Sequence, residues 1–245
     1  MPEPIILFED DSLIVIDKPA GLSVHADGRS PKSTLVDWLL PKYPELEGVG
    51  EEQTLESGVV IQRPGIVHRI DRETSGVLLV ARTQESYENL KAQFHDREVQ
   101  KTYRVFVYGN IKDDRGIIDK PIGSSRGGSG PRSVKAKSAH GLMRDALTTF
   151  RIIARSPEVS YAEVFPKTGR THQIRVHFAS LQRPVVCDRL YAPGRASLLG
   201  FKRLALHALS VTLTHPKTGK TVTFAAPLPA DFVTAEAILS EQKQA

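Results

Sequence analysis

The sequence predicts an α+β fold built on a mixed, largely antiparallel central sheet flanked by helices. Segments patterned as strands outnumber those patterned as helices, and the two kinds do not alternate as they would in a doubly wound protein. The run Gly76–Ala81 is almost purely apolar, which suits a strand buried on both faces. There is no internal repeat, and Pro and Gly are spread without a clear linker, so a single domain over residues 1–245 is expected.

The elements follow in order. Ile5–Phe8 and Leu13–Ile16 are two short β-rich runs separated by acidic turn residues. Thr34–Leu40 has Leu35, Leu39 and Leu40 on one side and Pro41 after it, the mark of a short helix. Residues 44–58 are acidic and turn-rich, a surface excursion. Gln84–Arg97 repeats Tyr87, Leu90 and Phe94 at helical spacing. Lys101–Tyr108 alternates again, so that Tyr103, Val105 and Val107 share one face. Further strands are expected at 147–154, 159–164, 209–213 and 221–225, and helices at 171–181 and 231–239.

Composition narrows the class. The 245 residues, 40% hydrophobic and 25% charged, suffice for a core of their own. No apolar run approaches the roughly 20 residues that a membrane-spanning helix needs, and the first residues lack the order of a signal peptide, so a cytoplasmic protein is expected. The single cysteine, Cys187, cannot close an internal disulfide or build a cysteine metal cluster. The net charge of +5 is unevenly spread: residues 1–57 hold four Lys and Arg against twelve Asp and Glu, so the other 188 carry 29 basic and 16 acidic residues, about +13. Between Lys120 and Arg144 six basic residues and no acidic one are interleaved with Gly and Ser, which reads as a mobile basic loop. Such segregation favours an anionic partner such as nucleic acid over a merely solvated charged surface.

Two segments concentrate chemistry. In Arg63–Gly76, Asp71 is bracketed by Arg69 and Arg72 at the rim of the buried strand; a carboxylate near guanidinium groups stays ionised and can act as nucleophile or base. The competing reading is that Asp71, Thr74 and Ser75 only cap a turn. In Lys167–His177, Gly169 suits a turn, Thr171 can serve as N-cap, and His172 and Arg175, three apart, share a helix face. The competing reading there is a basic helix end with solvated side chains.

His68-Arg69-Ile70-Asp71 followed by Thr74-Ser75-Gly76 resembles the His-Arg-Leu-Asp signature of the RluA-type family of RNA pseudouridine synthases, with Ile70 for the usual Leu. Lys18-Pro19-Ala20-Gly21, Lys101-Thr102-Tyr103, Thr168–His177, Leu206-His207-Ala208 and His215-Pro216 match the family's other motifs in order, so the resemblance spans nearly the whole chain. It implies the pseudouridine synthase catalytic fold, an isomerase that needs no cofactor, and a structured RNA substrate, ribosomal or transfer RNA, with ribosomal RNA favoured. It further implies that Asp71 is the catalytic aspartate and that Tyr103 packs on the target base. Arg175 is to pair with Asp71 and Arg69 to fill the space of the flipped nucleotide. Leu206 lies under the uracil, with Leu204 as neighbouring candidate, and His68, Arg170 and His172 contribute to RNA binding.

Two rivals remain. A metal-dependent hydrolase could draw ligands from His68, Asp71, His172 and His177, but basic residues flank each of them and no compact His-x-x-x-His pair is present, so no metal is expected. A non-catalytic RNA-binding or ribosome-assembly protein on the same fold is the other. A monomer is expected.

Overall fold

The computed structural model describes residues 2–26, 33–54, 58, 60–61, 63–124, 132–134 and 140–241. In chain order the elements are β1 (Ile5–Glu9), β2 (Leu13–Lys18), α1 (Leu35–Leu39), a 3-10 turn (Pro44–Leu46), β3 (Gln53–Thr54), β4 (Val60–Ile61), β5 (Ser75–Ala81) and α2 (Gln84–His95). They continue with β6 (Gln100–Tyr108), β7 (Arg115–Asp119), β8 (Ile122–Ser124), β9 (Arg132–Ser133), β10 (His140–Arg144), β11 (Leu147–Arg155) and β12 (Val159–Pro166). The last are α3 (Gln173–Ser180), β13 (Leu206–Thr214), β14 (Thr221–Ala225) and α4 (Ala230–Glu241). The expected α+β class is what is found, and the pairings β1–β2, β2–β5, β13–β14, β6–β12, β12–β11 and β11–β7 are antiparallel.

The chain forms two compact units, Met1–Gln100 with Ala208–Pro227, and Lys101–His207 with Leu228–Ala245. In the first, the strand order is β1-β2-β5-β13, with β14 paired to β13. All seven residues of β5 are buried, as a strand covered on both faces must be. The helix α2 starts at Thr83, whose hydroxyl accepts from Ser86 N at 3.2 Å, and it buries Tyr87 and Leu90 against Leu13, Val15, Val77 and Leu79. Each such side chain contributes roughly 1.5–3 kcal/mol of burial. The helix α1 is closed by a reciprocal capping box between Thr34 and Asp37. Two of its first N–H groups, Leu35 and Val36, donate to Ser23 O and Val24 O at 2.8 and 3.2 Å.

In the second unit the strands run β6-β12-β11-β7. Tyr103 lies opposite Val164 and Arg104 opposite Glu163. The core centres on Phe106, stacked on Tyr161 with centroids 4.2 Å apart, and α4 adds Phe232, Ala235 and Leu239.

The basic segment 120–144 corrects the expectation of a loop. Its described residues form the three-stranded sheet β10-β8-β9, with His140 opposite Ser124 and Gly123 opposite Ser133; residues 125–131 and 135–139 lie outside the described residues. Pairing is supported from below by the small apolar cluster of Ile122, Ala146 and Val176, against which Val134 and Tyr191 pack. These partners are remote in sequence, so composition alone does not reveal the strands.

Candidate active site

The candidate residues fall on both units. On the first, the segment Gly65–Gly76 leads into β5. Gly65, at φ +65°, and Gly76, at φ +112°, mark its ends; a Cβ on them would lie 2.2 Å from Ala81 O and 2.1 Å from Ala208 O. Only glycine fits such close backbone approaches. Between them, Ile70 is buried and the ring of His68 stacks on Phe94, centroids 4.7 Å apart. His68 Nε2 accepts from Leu79 N at 2.9 Å, so this side chain serves a main-chain N–H of β5.

Asp71 is half-buried, and its carbonyl accepts from Thr74 N at 3.0 Å. The two arginines that bracket it in sequence turn elsewhere: Arg69 Nη1 lies 3.2 Å from His25 Nε2, and Arg72 pairs with Glu73 at 2.9 Å. The segment is tied down by Lys18, which is completely buried. Its ammonium donates to Pro19 O at 2.9 Å, Leu22 O at 2.8 Å and Arg72 O at 3.2 Å. Gly21 N also donates to Arg72 O, at 2.7 Å. The Lys-Pro motif thus grips the backbone next to Asp71, a role that sequence reasoning did not assign.

On the second unit, Tyr103 is half-buried on β6 and packs on the main core, in which Leu206 and Leu204 are each 3% exposed. Two residues before it, Lys101 donates to Thr168 O at 3.3 Å, and burial pushes its ammonium down to about 8. Arg175 is buried and paired in bidentate fashion with Asp188, Nε to Oδ2 and Nη2 to Oδ1, both at 2.8 Å. Asp188 Oδ1 also accepts from Leu190 N and Tyr191 N, at 2.9 and 3.1 Å. The Arg175 guanidinium lies over the Tyr191 ring, 5.3 Å from its centroid. The Tyr191 hydroxyl accepts from Arg132 N at 2.8 Å and lies 3.1 Å from His172 Nδ1. Asp188 and Tyr191 therefore join Arg175 to His172; neither stands out in the sequence.

The start of α3 differs from expectation. The capping position is His172, in the left-handed region at φ 57°, and not Thr171. Gln173 takes over the bonding: its Oε1 accepts from Arg170 N at 3.0 Å and from the Thr168 hydroxyl at 2.6 Å. Its Nε2 donates to Leu147 O and to Thr148 Oγ1, both at 3.0 Å. Gln173 N donates to Arg170 O at 3.0 Å, closing a turn before the helix, and the helix begins two residues later than expected. Arg170 Nε donates to Asp145 O at 3.0 Å. His177 is fully buried, with Nδ1 2.9 Å from the Thr148 hydroxyl and Nε2 3.0 Å from Lys120 O. Among the described residues no group of three or more His, Cys, Asp or Glu is placed to hold a metal ion, and no helix is long and apolar enough to cross a membrane.

With this geometry in view, residues 12–180 match the family model described as RNA pseudouridylate synthase. The chain belongs to the RNA pseudouridylate synthase family. An RNA pseudouridine synthase of Synechocystis is 38% identical over 227 residues, covering 93% of this chain and 66% of that protein. The ribosomal large subunit pseudouridine synthase D of Xanthomonas campestris is 38% identical over 237 residues, covering 92% and 66%. The chain thus spans about two thirds of the length of these curated relatives. The solved structure of human RNA pseudouridylate synthase domain containing 4 shares the fold, with a TM-score of 0.72 at 24% identity over 96% of this chain and 92% of that one.

Proposed function

We propose that this chain isomerises specific uridines in structured RNA to pseudouridine, with Asp71 as the catalytic aspartate. The observation that carries the reading is the mounting of Asp71: a half-buried carboxylate on a segment gripped by the buried Lys18 and by the bond from Leu79 N of β5 to His68, within the residues that match the family model. In the reaction the N1–C1′ bond breaks, the base turns, and C5 joins C1′; the C5 proton is lost and N1 ends protonated. Asp71 serves by attack at C1′, by attack at C6, or by removing the C2′ proton. No electron changes hands overall, so the reaction needs no redox centre.

Tyr103 packs on the target base, Leu206 forms its apolar floor, and Arg175, held by Asp188 through Nε and Nη2, is the third catalytic side chain. Because the reacting atoms lie inside stacked RNA, the nucleotide must be extruded at a cost of a few kcal/mol. Arg69 fills the space it leaves, while Arg170 and His172 contribute to RNA binding. His68 contributes by position, holding Arg69's neighbour backbone to β5. Ribosomal RNA is the favoured substrate over transfer RNA, supported by the names of relatives such as the Xanthomonas enzyme. A cytoplasmic monomer completes the proposal.

The test is tritium release from RNA labelled at uridine C5, in the presence of EDTA, with ribosomal and transfer RNA pools. Wild-type protein is expected to release tritium and Asp71→Asn to release none while still binding RNA. Silence of the wild type on both pools, with binding retained, would replace the enzyme by an RNA-binding or assembly protein.

A further inference from the structure

The contact between His25 and Arg69 is built on two fixed pieces of backbone. Arg69 lies between His68, whose ring is bonded to Leu79 N, and the buried Ile70. His25 follows Ser23 and Val24, whose carbonyls take the first N–H groups of α1, and it is itself only 8% exposed. His25 Nδ1 lies 3.0 Å from Ala26 O, a carbonyl that can only accept, so Nδ1 carries the proton and Nε2 presents its lone pair. Arg69, which can only donate, reaches that lone pair with Nη1 at 3.2 Å.

The choice of partner has a chemical meaning. A carboxylate at this place would cancel the charge of Arg69 and bind it in a strong, charge-assisted pair. A neutral imidazole orients the guanidinium, leaves its charge intact and gives it up readily to a phosphate or to a base edge. Arg63 works in the same direction. Burial lowers its pKa, and the nearby positive charge of Arg69 lowers it further, so the two guanidinium groups repel. Arg69, itself exposed, is thus repelled by one neighbour and oriented by the other.

We propose that His25 is a positioning residue that holds Arg69, through a hydrogen bond to its uncharged imidazole, in the orientation from which it enters the RNA. This rests on the proposed role of Arg69 in the space of the extruded nucleotide. It adds to the site a residue that lies outside the His-Arg-Ile-Asp segment.

A double-mutant cycle decides it. His25→Phe keeps ring volume but has no acceptor, whereas His25→Gln can return an acceptor oxygen near the position of Nε2. These variants, Arg69→Ala and the His25→Phe/Arg69→Ala pair are compared in single-turnover tritium release and in affinity for a fluorescein-labelled RNA hairpin with unpaired loop uridines. Expected is a several-fold loss for His25→Phe, a larger loss for Arg69→Ala, no further loss in the pair, and recovery of most of the wild-type value by His25→Gln. Equal cost of His25→Phe with and without Arg69, no rescue by Gln, or no effect of Arg69→Ala would each overturn the proposal. Absence of tritium release by the wild type defeats the enzymatic reading instead, and the same cycle read in RNA affinity alone still decides the role of His25.

Discussion

Asp188 holds Arg175 by both carboxylate oxygens, and takes two further N–H bonds from Leu190 and Tyr191, so the buried carboxylate has four donors around it. A guanidinium gripped through Nε and one terminal nitrogen cannot swing, and its remaining donors have a fixed direction. Asp188→Asn removes the charge and turns an NH2 group towards N–H donors. Breaking a buried pair in this way costs about 3–5 kcal/mol. Urea unfolding of the variant is expected to show a loss of that size, with the tritium-release rate reduced more than the melting curve alone explains. A loss under about 1 kcal/mol would mean that the pair is not what fixes Arg175.

Lys18 offers a separate handle on the Asp71 segment. Replacing its ammonium by the apolar end of methionine leaves the carbonyls of Pro19, Leu22 and Arg72 without that donor. Arg72 O keeps its bond from Gly21 N, whereas a carbonyl left without any donor costs about 1–3 kcal/mol, moderated by any water that enters. Lys18→Met is expected to lower kcat at least tenfold while RNA affinity changes less than threefold, because the aspartate loses its mounting and the binding surface does not. Equal losses in both quantities would assign Lys18 to folding alone.

The pH dependence of stability carries two signatures, each from a basic group whose pKa burial lowers, in two different pH windows. Lys101, pushed down to about 8 by burial, titrates near 10.4 when unfolded. Between those values the unfolded chain binds the extra proton, so stability rises as pH climbs from about 8 to about 10.4 and is constant in this respect below 8. The gain is at most about 3 kcal/mol, less because the side chain is partly exposed. Lys101→Met is expected to be more stable than wild type at pH 7 and to lack the alkaline rise, as read by denaturant midpoints at pH 7, 8.5 and 10.

His177 acts on the acid side. Burial lowers its pKa, and its two nitrogens are committed to the Thr148 hydroxyl and Lys120 O in the neutral form. The unfolded histidine takes its proton near 6.5, so this contribution is present above that pH and is lost as the pH falls below it. Thermal unfolding at pH 7.5 and 5.5 should show a drop in Tm for wild type and a smaller one for His177→Gln. Parallel drops would place the acid sensitivity elsewhere.

What the sequence reveals of this molecule is set by the range of the forces involved. The strand β5 and the helix α2 announce themselves because burial writes its period directly into neighbouring residues. Asp71 and Arg175 stand out as candidates because they lie in dense polar segments, and Tyr103 because its strand alternates; their roles are what the family resemblance implies. By contrast, Asp188, Tyr191 and His25 matter through a partner far along the chain, and a single Asp, Tyr or His carries no local pattern. The strands β8, β9 and β10 were hidden for the same reason: their pairing and the apolar cluster beneath them come from separate stretches. The displaced start of α3 is not legible because Gln173 folds its side chain back onto Arg170 N, Thr168 and Leu147, partners that a cap pattern does not reveal.

The glycines at 65 and 76 have a consequence for how such a protein can diversify. Each is pressed against a backbone oxygen of a neighbouring strand, so neither can take a side chain nor slide along its neighbour. The segment between them is therefore fixed in length: one inserted or deleted residue would have to break a strand contact or dislodge the aspartate. A comparison of related chains is therefore expected to show length differences outside residues 65–76 and none within them.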